Sequence, residues 1–182
     1  MMPKPLAKAL PELTEPFTLL VIPPPEKGLE TYLNLIEYCS KKGRAGICIT
    51  LTRTVNSLLN ILEGRKISTK SLYFIDCISK ISGAETNYKN CEYVSHPSNL
   101  TDMSIAINNA INKTKGKRFW ITDSWSSFLI YNEEKEVLRF SILVINRFRA
   151  KGISGFLITM KEKSYDPFND KISAFCDRRV MI

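Results

Sequence analysis

The stretch FTLLVIPPPEKGLETYLNLIEYCSKKGRAGICITLT, residues 17–52, decides the fold. It opens with a continuous apolar run, FTLLVIP (17–23), and passes through a proline-rich turn. It then continues as LETYLNLIEYCSKK (29–42), with apolar residues at helical spacing, and closes on a second apolar run, AGICITLT (45–52). Strand, helix, strand in this order is a βαβ unit. Strands that are apolar at nearly every residue, not every second one, are buried on both faces, as in a parallel sheet covered by helices.

Read outward from this stretch, the alternation continues. VNSLLNILEG (55–64) is a helix and SLYFIDCI (71–78) a strand, followed by a short strand, CEYVSH (91–96), and a helix from Asn99 to Ile111. RFWITDS (118–124) is a strand, Glu133 to Lys151 a long helix and GFLITM (155–160) a strand. A helical stretch from Asp166 to Cys176 and a strand near Arg179 to Ile182 end the chain. The expected class is α/β: three layers, α/β/α, around a mainly parallel sheet. Right-handed crossovers gather the loops at the carboxyl ends of the strands along one edge, where open α/β sheets bind ligands. Asn99 is placed to cap its helix, with Asp102 at the third helical position. Gly43, Gly64 and Gly152 follow helical patterns as C-cap residues do. One domain is expected over residues 17–182, with residues 1–16 as an irregular arm.

The order of these elements, with Ile121-Thr122-Asp123-Ser124 closing an apolar strand before a long helix and then GISGFLITM, resembles the RecA-like P-loop ATPases, and among them the KaiC-like archaeal and bacterial proteins. The resemblance runs from about Thr18 to Ile182. Its best-matching pieces are TLLVIPPPEKGLET, GICITLTRTVNSLL, LYFIDCIS, HPSNLTDMSIAI and FWITDSWSSFLIYN. It implies a RecA-like architecture and directs attention to the turn after the first strand. In such ATPases that turn reads GxxxxGK[ST]: backbone amides curl around phosphate, the lysine reaches the outer phosphates and the hydroxyl holds magnesium. Here Pro23 stands at the first glycine, Gly28 at the second, Leu29 at the lysine and Glu30 at the hydroxyl. Prolines 23, 24 and 25 supply no amide donors and fix φ. Glu26 and Glu30 add negative charge, against which Lys27 sets one positive charge. This degenerate loop is expected to repel ATP.

The family usually places acidic residues after the GICITLT strand, one of which activates water; Thr52 and Arg53 are found instead, and neither is a general base. Asp123 matches the metal-side carboxylate of the family, but with Glu30 in place of the magnesium-binding hydroxyl the favoured reading is a structural Asp that bonds the turn after its strand. Asp76 has the same two readings and leans structural. The chain therefore reads as a catalytically inactive KaiC/RecA-like domain, without catalytic residues, metal or cofactor, that serves a regulatory or assembly role. Its partner would be a protein, such as a related active ATPase or another copy of itself.

Two other readings arise. A formal charge of +8 favours an acidic partner, and nucleic acid would meet the basic groups Lys41–Arg44, Arg65–Lys70 and Lys113–Arg118, with Trp125 or Arg53 assisting. The same lysines also complement helix dipoles. Alternatively, a small-ligand sensor or enzyme would reuse the strand-end cleft, lined by Thr52, Arg53, His96, Asp123 and Ser124. The five cysteines show no CxxC spacing and read as reduced residues of a cytoplasmic protein. No stretch has the length of a membrane span.

Overall fold

The computed structural model describes residues 2–182. Seven parallel strands form one sheet: β1 (Thr18–Ile22), β2 (Ala45–Thr50), β3 (Leu72–Asp76), β4 (Cys91–Tyr93), β5 (Arg118–Thr122), β6 (Ser154–Ile158) and β7 (Arg178–Met181). Their spatial order is β4-β3-β2-β5-β6-β1-β7. The helices are α1 (Lys4–Ala9), α2 (Gly28–Lys41), α3 (Val55–Gly64), α4 (Ser79–Ser82), α5 (Leu100–Lys113), α6 (Glu134–Ala150) and α7 (Asp166–Ser173).

Chain direction divides the helices between the two faces. From β1, α2 and α3 carry the chain toward the β4 edge; from β4, α5, α6 and α7 carry it back toward β7. Right-handed crossovers travelling in opposite senses lie on opposite sides of a sheet. The core divides accordingly. Leu20, Ile47, Ile49 and Trp120 pack with Met103 and Ile107 of α5, Phe148 of α6 and Phe168 of α7. Leu19, Val21, Cys48, Phe119 and Ile121 pack with Tyr32 and Ile36 of α2 and Leu58 of α3. Successive residues of each central strand thus serve opposite layers, which is why these strands are apolar throughout. Each such side chain taken from water contributes about 1.5–3 kcal/mol.

The amino-terminal arm departs from expectation. Residues 4–9 are helical, a short 3-10 turn follows over Leu10–Glu12, and Leu6, Ala9 and Leu10 are buried in the α2 layer. The helix α1 lies against β7, and Glu12 and Glu15 pair with Arg178 and Arg44. Pro5 and Pro11 fall in the first turns of these two helices, where a missing amide removes no helix bond. Gly43 and Gly152 take positive φ after their helices as expected, whereas Gly64 stays inside α3 and Lys66 adopts the left-handed conformation, at φ 58°. Asn99 caps α5 by accepting a bond from the Asp102 amide at 2.9 Å, and the Asp102 carboxylate accepts from the Ser95 amide at 2.6 Å.

Gly155 in the middle of β6 has a packing reason. A methyl group there would lie 1.9 Å from the Trp120 indole nitrogen, because the indole lies over the glycine backbone and stacks on Phe148 with ring centres 4.7 Å apart. Gly155→Ala should therefore cost about 3 kcal/mol in a denaturation experiment. Gly64→Ala, with open space at the site and no positive φ, should be neutral or stabilise by up to about 1 kcal/mol. The amide bond from Ser95 holds the Asp102 carboxyl below its usual range. Its stabilisation is therefore complete above the ordinary aspartate pKa and is lost as pH falls through the depressed folded value, so Asp102→Asn should flatten the acid side of the stability–pH profile.

Candidate functional site

The helices after β1 and β2 lie on one face of the sheet and those after β5 and β6 on the other. Strands whose following helices part in this way leave a crevice beyond their carboxyl ends. There the chain forms a cleft of about 490 Å³. Pro25, Glu26 and Leu29 come from the β1–α2 connection, and Thr52 and Arg53 from the end of β2. Asp123, Ser124 and Ser127 come from the end of β5, and Met160, Glu162 and Tyr165 from the segment after β6.

In the β1–α2 connection, Pro24 is extended at φ −64° and ψ 151°, Pro25–Lys27 form a 3-10 turn, and Gly28 enters α2 with right-handed helical angles. The Lys27 amide donates to the Pro24 carbonyl at 2.9 Å and the Gly28 amide to the Pro25 carbonyl. With three of the residues from Pro23 to Gly28 being prolines, these two bonds turn inward most of the amides that the segment has. A methyl group at Gly28 would meet the Met160 Cε at 2.6 Å, so the end of that flexible side chain would have to shift to admit one. The Met160 side chain thus lies across the start of α2. The side chains of Glu26, Lys27 and Glu30 are exposed.

Asp123 is buried and functions as a loop anchor. Its Oδ1 accepts from the Leu51 amide at 2.8 Å, and its Oδ2 accepts from the Thr52 amide at 3.1 Å and the Thr52 hydroxyl at 2.6 Å. The Thr50 hydroxyl, shared with the Arg53 carbonyl at 2.7 Å, lies 3.0 Å from Oδ2. Burial pushes the carboxyl above the ordinary aspartate range, and the donors from Thr52, Leu51 and Thr50 oppose that rise. These bonds fold the segment after β2 back onto β5 and leave Arg53 at the cleft wall, half-buried and paired with no carboxylate among the described residues. Asp76 does the same for the next strand, accepting from the amides of Val55, Ile78 and Ser79 at 2.6, 2.7 and 2.8 Å and from the Ser79 hydroxyl at 2.6 Å.

Ser124 is buried, and its Oγ accepts from the Ser127 hydroxyl at 2.9 Å. Ser126 accepts from the Met160 amide at 3.2 Å, so the run Ser124-Trp125-Ser126-Ser127 joins the end of β5 to the segment after β6. His96 does not line this cleft. It follows β4 at the sheet edge, where its Nδ1 accepts from the Ser98 amide at 3.1 Å and its ring meets Tyr131 edge-on at 5.5 Å. Sequence order could not reveal this, because β4 lies three strands away from β5. Trp125 is fully buried, with its Nε1 donating to Ser141 at 2.6 Å, so it offers no stacking surface to a base. Arg147 and Arg149 are likewise engaged, with Ser104 and Asp177. Met160, Glu162 and Tyr165 went unrecognised in the sequence. Their only signal was position, directly after an apolar strand whose end faces the crevice.

Removing the Asp123 carboxylate orphans the Leu51 and Thr52 amides. Asp123→Ala is expected to cost about 3 kcal/mol or more in chemical denaturation, while His96→Ala stays within about 0.5 kcal/mol.

No family model matches this chain, and no curated protein does. Solved structures do. The KaiC-like protein PH0186 from the hyperthermophilic archaeon Pyrococcus horikoshii OT3 superposes with a TM-score of 0.70 at 14% sequence identity, over 93% of this chain and 73% of that one. The uncharacterised protein PH0321 from Pyrococcus horikoshii, solved with an unknown peptide, gives a TM-score of 0.73 at 12% identity, over 97% and 81%. With its seven parallel strands between two helical layers, the chain has the KaiC-like, RecA-type α/β fold.

Proposed function

We propose that this chain is a RecA-type domain that does not hydrolyse ATP and acts through protein contacts as a regulatory or assembly component. The observation that carries the reading is the β1–α2 connection. A triphosphate cradle needs outward-facing amides, a lysine and a hydroxyl at the start of the helix. The segment here has prolines at 23, 24 and 25, and the Lys27 and Gly28 amides bond to its own carbonyls. Leu29 and Glu30 stand at the lysine and hydroxyl positions, with Met160 packed against Gly28. These residues do not fit a magnesium–triphosphate. The rest of the cleft supports the same reading, since Asp123 is committed to Leu51 and Thr52 and the residues beyond β2, Thr52 and Arg53, accept no proton from water.

Partner contact is supported from two sides. A fold kept without its phosphate chemistry retains its surfaces, and RecA-like domains pack side by side. PH0321, which shares the fold at a TM-score of 0.73, was solved holding an unknown peptide. The partner of this chain would be a related active ATPase or a second copy of itself.

Titration calorimetry with magnesium–ATP and magnesium–ADP should give no heat, and about 1 mM of either should leave the melting temperature unchanged. A site with Kd of about 10 µM would instead add about 2.7 kcal/mol at that concentration and would overturn the reading. A chain that stays monomeric at all concentrations and retains no protein from its source lysate would remove the partner half of it.

A further inference from the structure

The basic groups that are separate in sequence become neighbours in the sheet. Each precedes a strand, so all lie at the amino-terminal edge, opposite the cleft. Along the strand order β4-β3-β2-β5-β6, the entering segments carry Lys89, then Lys66 and Lys70, then Lys41, Lys42 and Arg44, then Lys115 and Lys117, then Lys151. The series stops at β1 and β7, which are entered through Glu15 and Asp177. Five adjacent strands thus begin behind a positive charge, a line of about 19 Å at the usual strand spacing of about 4.8 Å.

Some of this charge is already used. Glu37, Glu15 and Glu92 pair with Lys41, Arg44 and Lys113, and Lys42 lies over the Tyr38 ring. Lys66, Lys70, Lys89, Lys115, Lys117 and Lys151 are exposed and have no carboxylate partner among the described residues. Two hollows run along the same edge. One of about 280 Å³ is lined by Lys70, Lys115, Ser71, Asn90 and Thr114. The other, of about 480 Å³, is lined by Lys66, Lys70, Ser68 and Thr69, with Leu59 and Ile67 at its floor and the exposed carboxylate of Glu63 at its rim. They meet at Lys70, so that Lys66, Lys70 and Lys115 line them against the carboxylate of Glu63.

We infer that this edge is a docking surface for the phosphate backbone of a nucleic acid, bound without sequence preference. Charges recurring at strand spacing suit a polymer with regular charge. Over about 19 Å one strand of a duplex presents about five or six phosphates. Lysine ammonium groups on flexible stems neutralise phosphate as point charges, and the Ser68, Thr69 and Ser71 hydroxyls and the Asn90 amide between them add donors to backbone oxygens, whereas the buried Thr114 hydroxyl donates to the Ala110 carbonyl. A lipid surface fits less well, because the exposed large apolar residues, Ile81, Ile105, Ile130, Leu143, Phe175 and Met181, all lie outside these five entering segments. The inference is independent of the nucleotide reading, since it concerns the opposite edge of the sheet.

Fluorescence anisotropy with labelled 20-nucleotide DNA and RNA, single- and double-stranded, tests it on the full chain. Binding is expected at 50 mM salt and should weaken about a hundredfold or more by 200 mM, as neutralising four to five phosphates requires. The combined variant Lys66→Glu, Lys70→Glu, Lys115→Glu, Lys117→Glu should lose at least tenfold in affinity and show a shallower salt slope, with circular dichroism and melting temperature checking that it is folded. The control Lys161→Glu, Lys163→Glu at the opposite edge should bind as the unmodified chain does. No binding at 50 mM salt, equal loss in the control, or tighter binding to phosphatidylserine vesicles than to any oligonucleotide would overturn the proposal.

Discussion

The central strands of this sheet are covered on both faces, with Leu19, Leu20, Val21, Ile47, Cys48 and Ile49 all at 0% exposure. Double coverage withdraws the sheet faces from chemistry. A polar side chain on a central strand must either find partners in the core or lie at a strand end, because an unsatisfied buried group costs about 1–3 kcal/mol. The functional surface is therefore confined to the helices and to the two edges where strands enter and leave. At the leaving edge the reversal of crossover direction opens the cleft. At the entering edge helix C-termini meet strand starts, and lysines there also oppose the helix dipoles.

The two buried carboxylates set the shape of the leaving edge. Asp123 and Asp76 close β5 and β3, the strands on either side of β2, and spend their oxygens on backbone amides of the loops around them, those of Leu51 and Thr52 in one case and of Val55, Ile78 and Ser79 in the other. A carboxylate in this role acts as a rigid acceptor replacing water that the loops cannot reach. The Asp123 oxygens are taken up by donors of the protein itself. Met160 has a related effect on the β1–α2 connection, its thioether resting on Gly28.

Much of this was legible in the sequence. The continuous apolar runs named β1, β2, β3, β5 and β6 and their parallel pairing, because burial on both faces erases the alternation of a one-sided strand. Asn99 and the glycines at 43 and 152 marked helix ends through local chemistry alone, hydrogen-bond capacity in one case and access to positive φ in the others. The prolines at 23 to 25 gave the loss of amide donors directly. Three readings needed the third dimension. The arm was misjudged because its apolar residues become informative only when β7 and the α2 layer offer them a surface. His96 was grouped with Asp123 because both end strands, and only the strand order separates them. Trp125 looked available for stacking until its burial and its bond to Ser141 were known.

The sequence by itself determined the seven strands, the long helices between them and which groups the loop after β1 can present, since burial pattern and the absence of an N–H are properties of the chain. Tertiary structure alone decided which loops meet. The order β4-β3-β2-β5-β6-β1-β7 arises from right-handed crossovers running first one way and then the other, a long-range geometry that no local pattern encodes. That order places Thr52 and Arg53 beside Asp123, removes His96 from them, and lines up separate lysine groups along one edge.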